Sequence, residues 1–197
     1  MIRSFIALEL SSEIYQNLGK LIGNLKKGAQ FTPSTPSWVK PESIHLTLKF
    51  LGNIGENMVE PISEVVQKAA SETDPFIIRI RDLGVFPDER HPRVLWCGMT
   101  RGEEQTVDLQ KKIDRDLEPL GFEKEKRPFH PHLTLARIKS LKGVAALMNI
   151  IKTNQQNSFI GECPIDRIIL FRSELHPDGA RYSRLFEASL RKPQVKV

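Results

Sequence analysis

Ile44-His45-Leu46-Thr47-Leu48 carries a tetrapeptide, His-Leu-Thr-Leu, that returns after Pro131 as His132-Leu133-Thr134-Leu135, 87 residues downstream. Both copies sit in apolar runs of strand-like composition, Ile44 to Leu51 around the first and Leu133 to Ile138 after the second. Alternate side chains of an extended chain point to opposite faces. Each copy therefore places a His and a Thr on one face and two Leu on the other. The Leu face suits burial against a helix, and the His/Thr face suits the wall of a cleft. A lone His-x-Thr on a strand is ordinarily a partnered structural histidine. Two identical copies in the two halves of one chain point instead to a shared site.

Outward from the repeat, the chain alternates helix and strand signals. Arg3 to Leu10 reads as a strand. Ser11 and Ser12 can cap a helix whose stripe is Ile14, Leu18, Leu21, Ile22 and Leu25, ended by Lys26, Lys27 and Gly28. Thr32 to Ser37 is a loop by composition, and the first repeat strand stops at Gly52-Asn53. A second helix carries Val59, Ile62, Val66 and Ala69. Phe76 to Ile80 is a strand, Gly84 to Asp88 a break, and Arg93 to Met99 another strand. A third helix carries Val107, Ile113, Leu117 and Leu120, and a fourth spans Val144 to Ile151. Two last strands cover Ile165 to Phe171 and Tyr182 to Leu190. Strands that follow one another across short turns argue for an α+β fold with mostly antiparallel sheets, not a doubly wound parallel one. The expected arrangement is a bilobal, pseudo-twofold pair of sheets flanked by helices around a central cleft, with residues 1–197 forming one domain.

With 197 residues, 40% of them apolar and 27% charged, the chain has the make-up of a soluble globular protein. Its net charge of +5 suits an anionic ligand. Basic residues flank both repeats: Lys40 and Lys49 at the first, Arg127, Arg137 and Lys139 at the second. Cys97 and Cys163 give neither a disulfide framework nor a metal-ligand spacing, and Cys97 is expected to be a buried thiol. The N-terminus has no signal-peptide pattern, and no apolar run reaches the ~20 residues of a membrane span. A cytoplasmic location and, without a heptad pattern, a monomer are the default expectations.

Two facing histidines suit general acid–base chemistry, because an imidazole titrates near ~6.5 and one ring can be neutral while the other is charged. The neutral ring can take a proton from water, and the charged one can give a proton to a departing alkoxide. A Thr hydroxyl two residues on can donate to an oxygen that gains charge. A phosphate diester fits between such an acid and base. The residues alone leave open which histidine is which.

The paired His-Leu-Thr-Leu motifs resemble those of the 2H phosphoesterases, and the flanks are similar to their LigT-like branch, the RNA 2′,3′-cyclic phosphodiesterases. The likeness covers Arg3 to Leu8, Trp38 to Gly52, Gly84 to Pro87, Pro92 to Trp96, Arg127 to Arg137 and Leu170 to Leu175. It implies the bilobal fold and the opening of a terminal 2′,3′-cyclic phosphate to a 2′-phosphate. It further implies His45 as proton donor to the leaving 3′-oxygen and His132 as the base that activates water. Thr47 and Thr134 would hold the non-bridging oxygens. No metal or nucleotide cofactor is implied, and the partners would be RNA ends or nucleotides bearing the cyclic phosphate. Some relatives also join RNA ends through 2′–5′ linkages, a secondary expectation here.

Arg137 would neutralise phosphate in the family pattern. Strict alternation nevertheless puts it on the Leu face, and it reaches the cleft only if the strand bends or ends near Ala136. A metal site at His130 and His132 is disfavoured, since no carboxylate nearby completes it. His91 and His176 read as exposed. Phe50, Phe129 and Trp38 read first as core and second as stacking platforms for a terminal base. Competing functions are action on 2′–5′ oligonucleotides or small cyclic nucleotides, and an RNA-end binding module without turnover.

Overall fold

The computed structural model describes residues 1–29, 36–155, 158–177 and 179–191, so most of the expected loop over 32–37 lies outside the described residues. The elements run β1 (Ile2–Leu8), α1 (Ser12–Ala29), β2 (Ser37–Trp38), β3 (Leu46–Ile54), α2 (Val59–Ser71), β4 (Phe76–Phe86) and β5 (Val94–Arg101). There follow α3 (Glu103–Leu117), β6 (Leu133–Arg137), α4 (Val144–Gln155), β7 (Gly161–Ile165), β8 (Arg167–His176) and β9 (Gly179–Ser189). They form two sheets, ordered β3-β1-β8-β9 and β2-β6-β5-β4-β7, in which the neighbours pair antiparallel. The α+β reading with antiparallel sheets holds.

Several details differ from the sequence reading. β4 does not break at Gly84 but continues to Phe86, because Asp82 adopts a left-handed backbone (φ 67°) and the register with β5 shifts there. The end of the chain supplies three strands in place of two, since β7 precedes β8. On α3, Leu109 rather than Val107 is buried beside Ile113 and Leu117. The lobes are also not the two halves of the sequence. The first sheet combines β1 and β3 with the C-terminal β8 and β9, and β2 crosses into the second sheet. Among the described residues no helix is long and apolar enough to cross a membrane.

Each repeat buries its leucines as the alternation demands. Leu46, Leu48, Leu133 and Leu135 belong to one continuous core with the stripes of α1 (Ile14, Leu18, Leu25), α2 (Ile62, Val66) and α4 (Leu147, Ile151). On the opposite face of the first sheet a smaller cluster gathers Phe5, Ala7, Ile169 and Phe171, with Tyr182 packed against it. Thr47 and Thr134 are half-buried.

The repeat extends to a backbone irregularity that composition does not announce. In the β1–β3 ladder Ala7 faces Thr47 and Ile6 faces Lys49, so Leu48 is an extra residue. In the β5–β6 ladder Trp96 faces Thr134 and Leu95 faces Ala136, so Leu135 is the extra one. A bulge at the fourth motif position advances the alternation by one. Lys49 and Ala136 therefore turn toward the helices, while Phe50 and Arg137 return to the His/Thr face. The strand bend that Arg137 requires is this bulge. Lys49 is thereby withdrawn from the expected basic rim, because its ammonium binds the Asp114 carboxylate of α3 and donates to the Glu123 carbonyl at 2.6 Å.

Truncating the two faces should have separable effects. Leu46→Ala or Leu133→Ala, at fully buried positions, should lower unfolding free energy by about 2–5 kcal/mol. Thr47→Ala or Thr134→Ala should change it by less than about 1 kcal/mol. Chemical denaturation of the four variants checks this, and equal losses would mean that the threonines are also core.

Candidate active site

Neither histidine lies within its strand. His45 stands one residue ahead of β3, and His132 one residue ahead of β6. The chain itself draws them together. β2 is hydrogen-bonded to β6 through Ser37–Arg137 and Trp38–Ala136, and the Val39 amide donates to the Leu135 carbonyl at 2.9 Å. A single 3₁₀ turn, Pro41–Ser43, then delivers the chain to His45.

Both rings are held in the same way. His45 Nδ1 lies 3.0 Å from the Ser43 carbonyl, and His132 Nδ1 lies 2.7 Å from the His130 carbonyl. A carbonyl oxygen only accepts, so each Nδ1 carries the proton and donates it. In each neutral ring Nε2 then holds the lone pair, and in each charged ring Nε2 holds the transferable proton. Among the described residues no group of three or more His, Cys, Asp or Glu side chains is placed to hold a metal ion.

The surroundings of the two rings differ. His45 stacks on Phe5 (4.4 Å, 23°), takes the Tyr182 ring edge-on (5.1 Å, 89°) and has Phe171 at 6.3 Å. Thr47 pairs with Ala7, so His45 reaches Phe5 across a residue with no bulk beyond Cβ. This aromatic box strips water from the ring. Burial pushes the His45 imidazole down to about 4, opposed by the Ser43 carbonyl, which favours the charged form. His132 has Phe86 edge-on at 5.0 Å (85°) and Trp96 at 6.4 Å. Its pKa is also lowered, mainly by burial and slightly by His130, against the His130 carbonyl. Trp96 lies so close over Gly84 that a Cβ there would meet its ring at 2.2 Å. Glycine at 84 is thus what lets the indole lie close against β4, with its edge toward His132.

A cavity of about 160 Å³ opens at His45 between Tyr15, Phe171, Tyr182 and Arg184. It is smaller than the ~300–1,000 Å³ of ordinary ligand sites and is walled by the first sheet, α1 and the turn before His45. Arg137 of the second sheet lies near enough to Tyr182 of the first for its charge to act there. Burial raises the Tyr182 hydroxyl of β9, while the charges of Arg137 on β6 and Arg3 on β1 pull it back down. Arg137 is exposed on the His132 face. Among the expected aromatics, Trp38 and Phe129 pack against the core, whereas Phe50 is 68% exposed on the cleft face. His91 is exposed as expected, and His176 is exposed at the end of β8, not in a loop.

The sequence reading missed the box itself: Phe5, Phe171 and Tyr182 at His45, Phe86 and Trp96 at His132. Alternation on β1 was the available signal, since Arg3, Phe5 and Ala7 share a face. Which partner strands stood beside it was not readable.

The depressed His45 pKa makes stability depend on pH. Between about 6.5 and about 4 the unfolded chain binds a proton that the folded ring refuses. The stabilisation is complete above 6.5 and is lost as pH falls to about 4, amounting to about 3 kcal/mol. Denaturant titrations of the wild type and His45→Gln should therefore diverge in slope over this window. Parallel curves would mean that the ring is not desolvated.

A model of the 2′-5′ RNA ligase superfamily matches residues 18–177. The chain is 34% identical over 182 residues to an RNA 2′,3′-cyclic phosphodiesterase of Methanothermobacter thermautotrophicus, covering 92% of this chain and 95% of that one. It is 32% identical to the protein of that name from Methanocaldococcus jannaschii, covering 94% and 99%. A solved structure from Thermus thermophilus superposes with a TM-score of 0.78 at 29% identity, covering 97% and 99%. E. coli LigT, crystallised with 3′-AMP, does so at 0.72 and 22%, also covering 97% and 99%, and shares the fold. With its doubled motif, its two antiparallel sheets and these relatives, the chain belongs to the 2′-5′ RNA ligase superfamily of 2H phosphoesterases.

Proposed function

We propose that this protein hydrolyses the terminal 2′,3′-cyclic phosphate of RNA to a 2′-phosphomonoester, with the two histidines as acid and base and no metal in the proton transfers. The supporting observation is the pair of Nδ1–carbonyl hydrogen bonds, which leaves both Nε2 atoms free for proton transfer. His132 Nε2 takes a proton from water as its oxygen bonds to phosphorus. The P–O3′ bond breaks, and His45 Nε2 gives its proton to the 3′-oxygen. The enzyme ends with the proton on the opposite ring, and exchange with solvent restores it. Thr47 and Thr134 donate to the non-bridging oxygens, and Arg137 adds positive charge on the His132 side. A 5′-hydroxyl in place of water would give a 2′–5′ linkage by the same transfers.

In the free protein both imidazoles are lowered, so His45 is uncharged at neutral pH. The substrate supplies the missing term. A phosphate anion about 4 Å away gives about 4 kcal/mol at an effective dielectric near 20, roughly three pKa units. That raises His45 from about 4 back toward the range in which an imidazole holds a proton near neutral pH. The anion thus charges the acid that will cleave it.

Two outcomes test this reading. Incubation of a 2′,3′-cyclic-phosphate RNA end in EDTA should yield the 2′-phosphomonoester. His45→Ala and His132→Ala should each reduce turnover by about 10²–10⁴-fold. A 3′-phosphate product, or a requirement for a divalent ion, would contradict it. Both kcat/KM and kcat should be bell-shaped against pH, with the kcat optimum at higher pH than the kcat/KM optimum. Coincident bells would mean that substrate does not recharge the pair, and binding without turnover would point to an RNA-end binding module.

A further inference from the structure

The residue that follows each motif meets the segment leading to the other histidine. In β6 that residue is Ala136, and one of its ladder partners is Trp38 of β2, on the way to His45. In β3 it is Lys49, turned by the bulge to the helix side. Its ammonium donates to the Glu123 carbonyl at 2.6 Å, on the way from α3 to His132, and pairs with the Asp114 carboxylate of α3. The other oxygen of that carboxylate accepts the Glu125 amide at 3.0 Å. One mooring is made by backbone pairing, the other by charged side chains.

The second mooring acts on a segment with no regular structure of its own. Residues 121–132 form neither helix nor strand, and 123–128 are all exposed. Phe122 and Phe129 pack against the core on either side of that exposed stretch. The Lys49 and Asp114 side chains are only 10% and 12% exposed, so the pair itself is nearly buried. Burying two charges costs desolvation that their attraction about repays, so net stability does not account for such a pair. What it supplies is direction. An ammonium and a carboxylate that each bind two groups fix where residues 123–125 lie relative to β3 and α3.

We infer that Lys49 and Asp114 are positioning residues for His132. Through residues 123–125 they tie the approach to the second histidine to the strand of the first, and so set the spacing between the two rings. The kinetic consequence rests on the proposed two-histidine chemistry. An acid and a base that act on opposite oxygens of one phosphate need a fixed separation, and a misplacement of about 1 Å can cost about 10²-fold in rate. The local Nδ1–carbonyl bonds fix the tautomer of each ring and leave this separation to the moorings.

The test uses Lys49→Met/Asp114→Asn, which removes both charges together so that neither is left buried alone. Lys49→Gln is the milder break, one bond shorter and with a donor for only one of the two partners; it carries the same readouts should the double variant not fold. On cytidine 2′,3′-cyclic phosphate the double variant should lose roughly 10- to 100-fold in kcat with KM little changed. Lys49→Gln should lose part of that. In ¹⁵N-edited NMR of the free protein, the His132 signals of both variants should broaden by exchange between ring positions, while those of His45 stay sharp. Added to His132→Ala, the double substitution should lower the residual rate no further, because its effect runs through that ring. Unchanged kcat with sharp His132 signals in a folded variant overturns the inference. An equal further loss on the His132→Ala background also overturns it, since that marks a general packing role. Absence of turnover by the wild type removes the proposed chemistry but not the positioning, which the His132 signals then decide alone.

Discussion

Each histidine donates Nδ1–H to the carbonyl two residues before it, and the chemistry of the site depends on that bond made twice. The bond decides which nitrogen faces the cleft, and so whether a ring can act as base or acid at all. Such a bond is local, closing on the residue next but one in the chain. It therefore survives wherever the motif is placed at the head of a strand. The bulge at the fourth position of each motif is the second local device, because it reverses the face of the next two residues, Lys49 and Phe50 in β3 and Ala136 and Arg137 in β6. Together they let one short sequence position a proton carrier, a hydroxyl and the sixth residue on one face, with leucines anchoring the other.

The two copies differ in their surroundings. His45 sits in an aromatic box whose burial makes its charged form costly, whereas His132 rests against Phe86 and Trp96. At the sixth position one copy has an exposed aromatic, Phe50, and the other a cation, Arg137. A twofold scaffold carrying unlike walls is what a cyclic phosphodiester calls for, since its entering and leaving oxygens need opposite proton transfers.

Much of this was legible in the chain. Period-2 alternation at Leu46 and Leu133 and the helical stripe beginning at Ile14 both report burial directly, and the structure buries each of them. The doubled His-x-Thr exposed the candidate site because side chains with acid–base and hydrogen-bonding capacity recur at one spacing. What alternation cannot report is a bulge, which depends on a partner strand far away in sequence. For that reason Arg137 read as turned away, Lys49 read as part of an anion-seeking rim, and Phe50 read as core. Nor could a linear pattern show that β8 and β9 return to flank β1. Tyr182 and Phe171 reach His45 only through that return.

The claim that both rings are tautomerically fixed can be read from ¹⁵N-edited NMR of the histidine side chains in the free protein at neutral pH. The account predicts that His45 and His132 are both neutral, with the proton on Nδ1 and the lone pair on Nε2. A spectrum showing Nε2–H on either ring would place the lone pair against a carbonyl oxygen and contradict the paired acid–base arrangement.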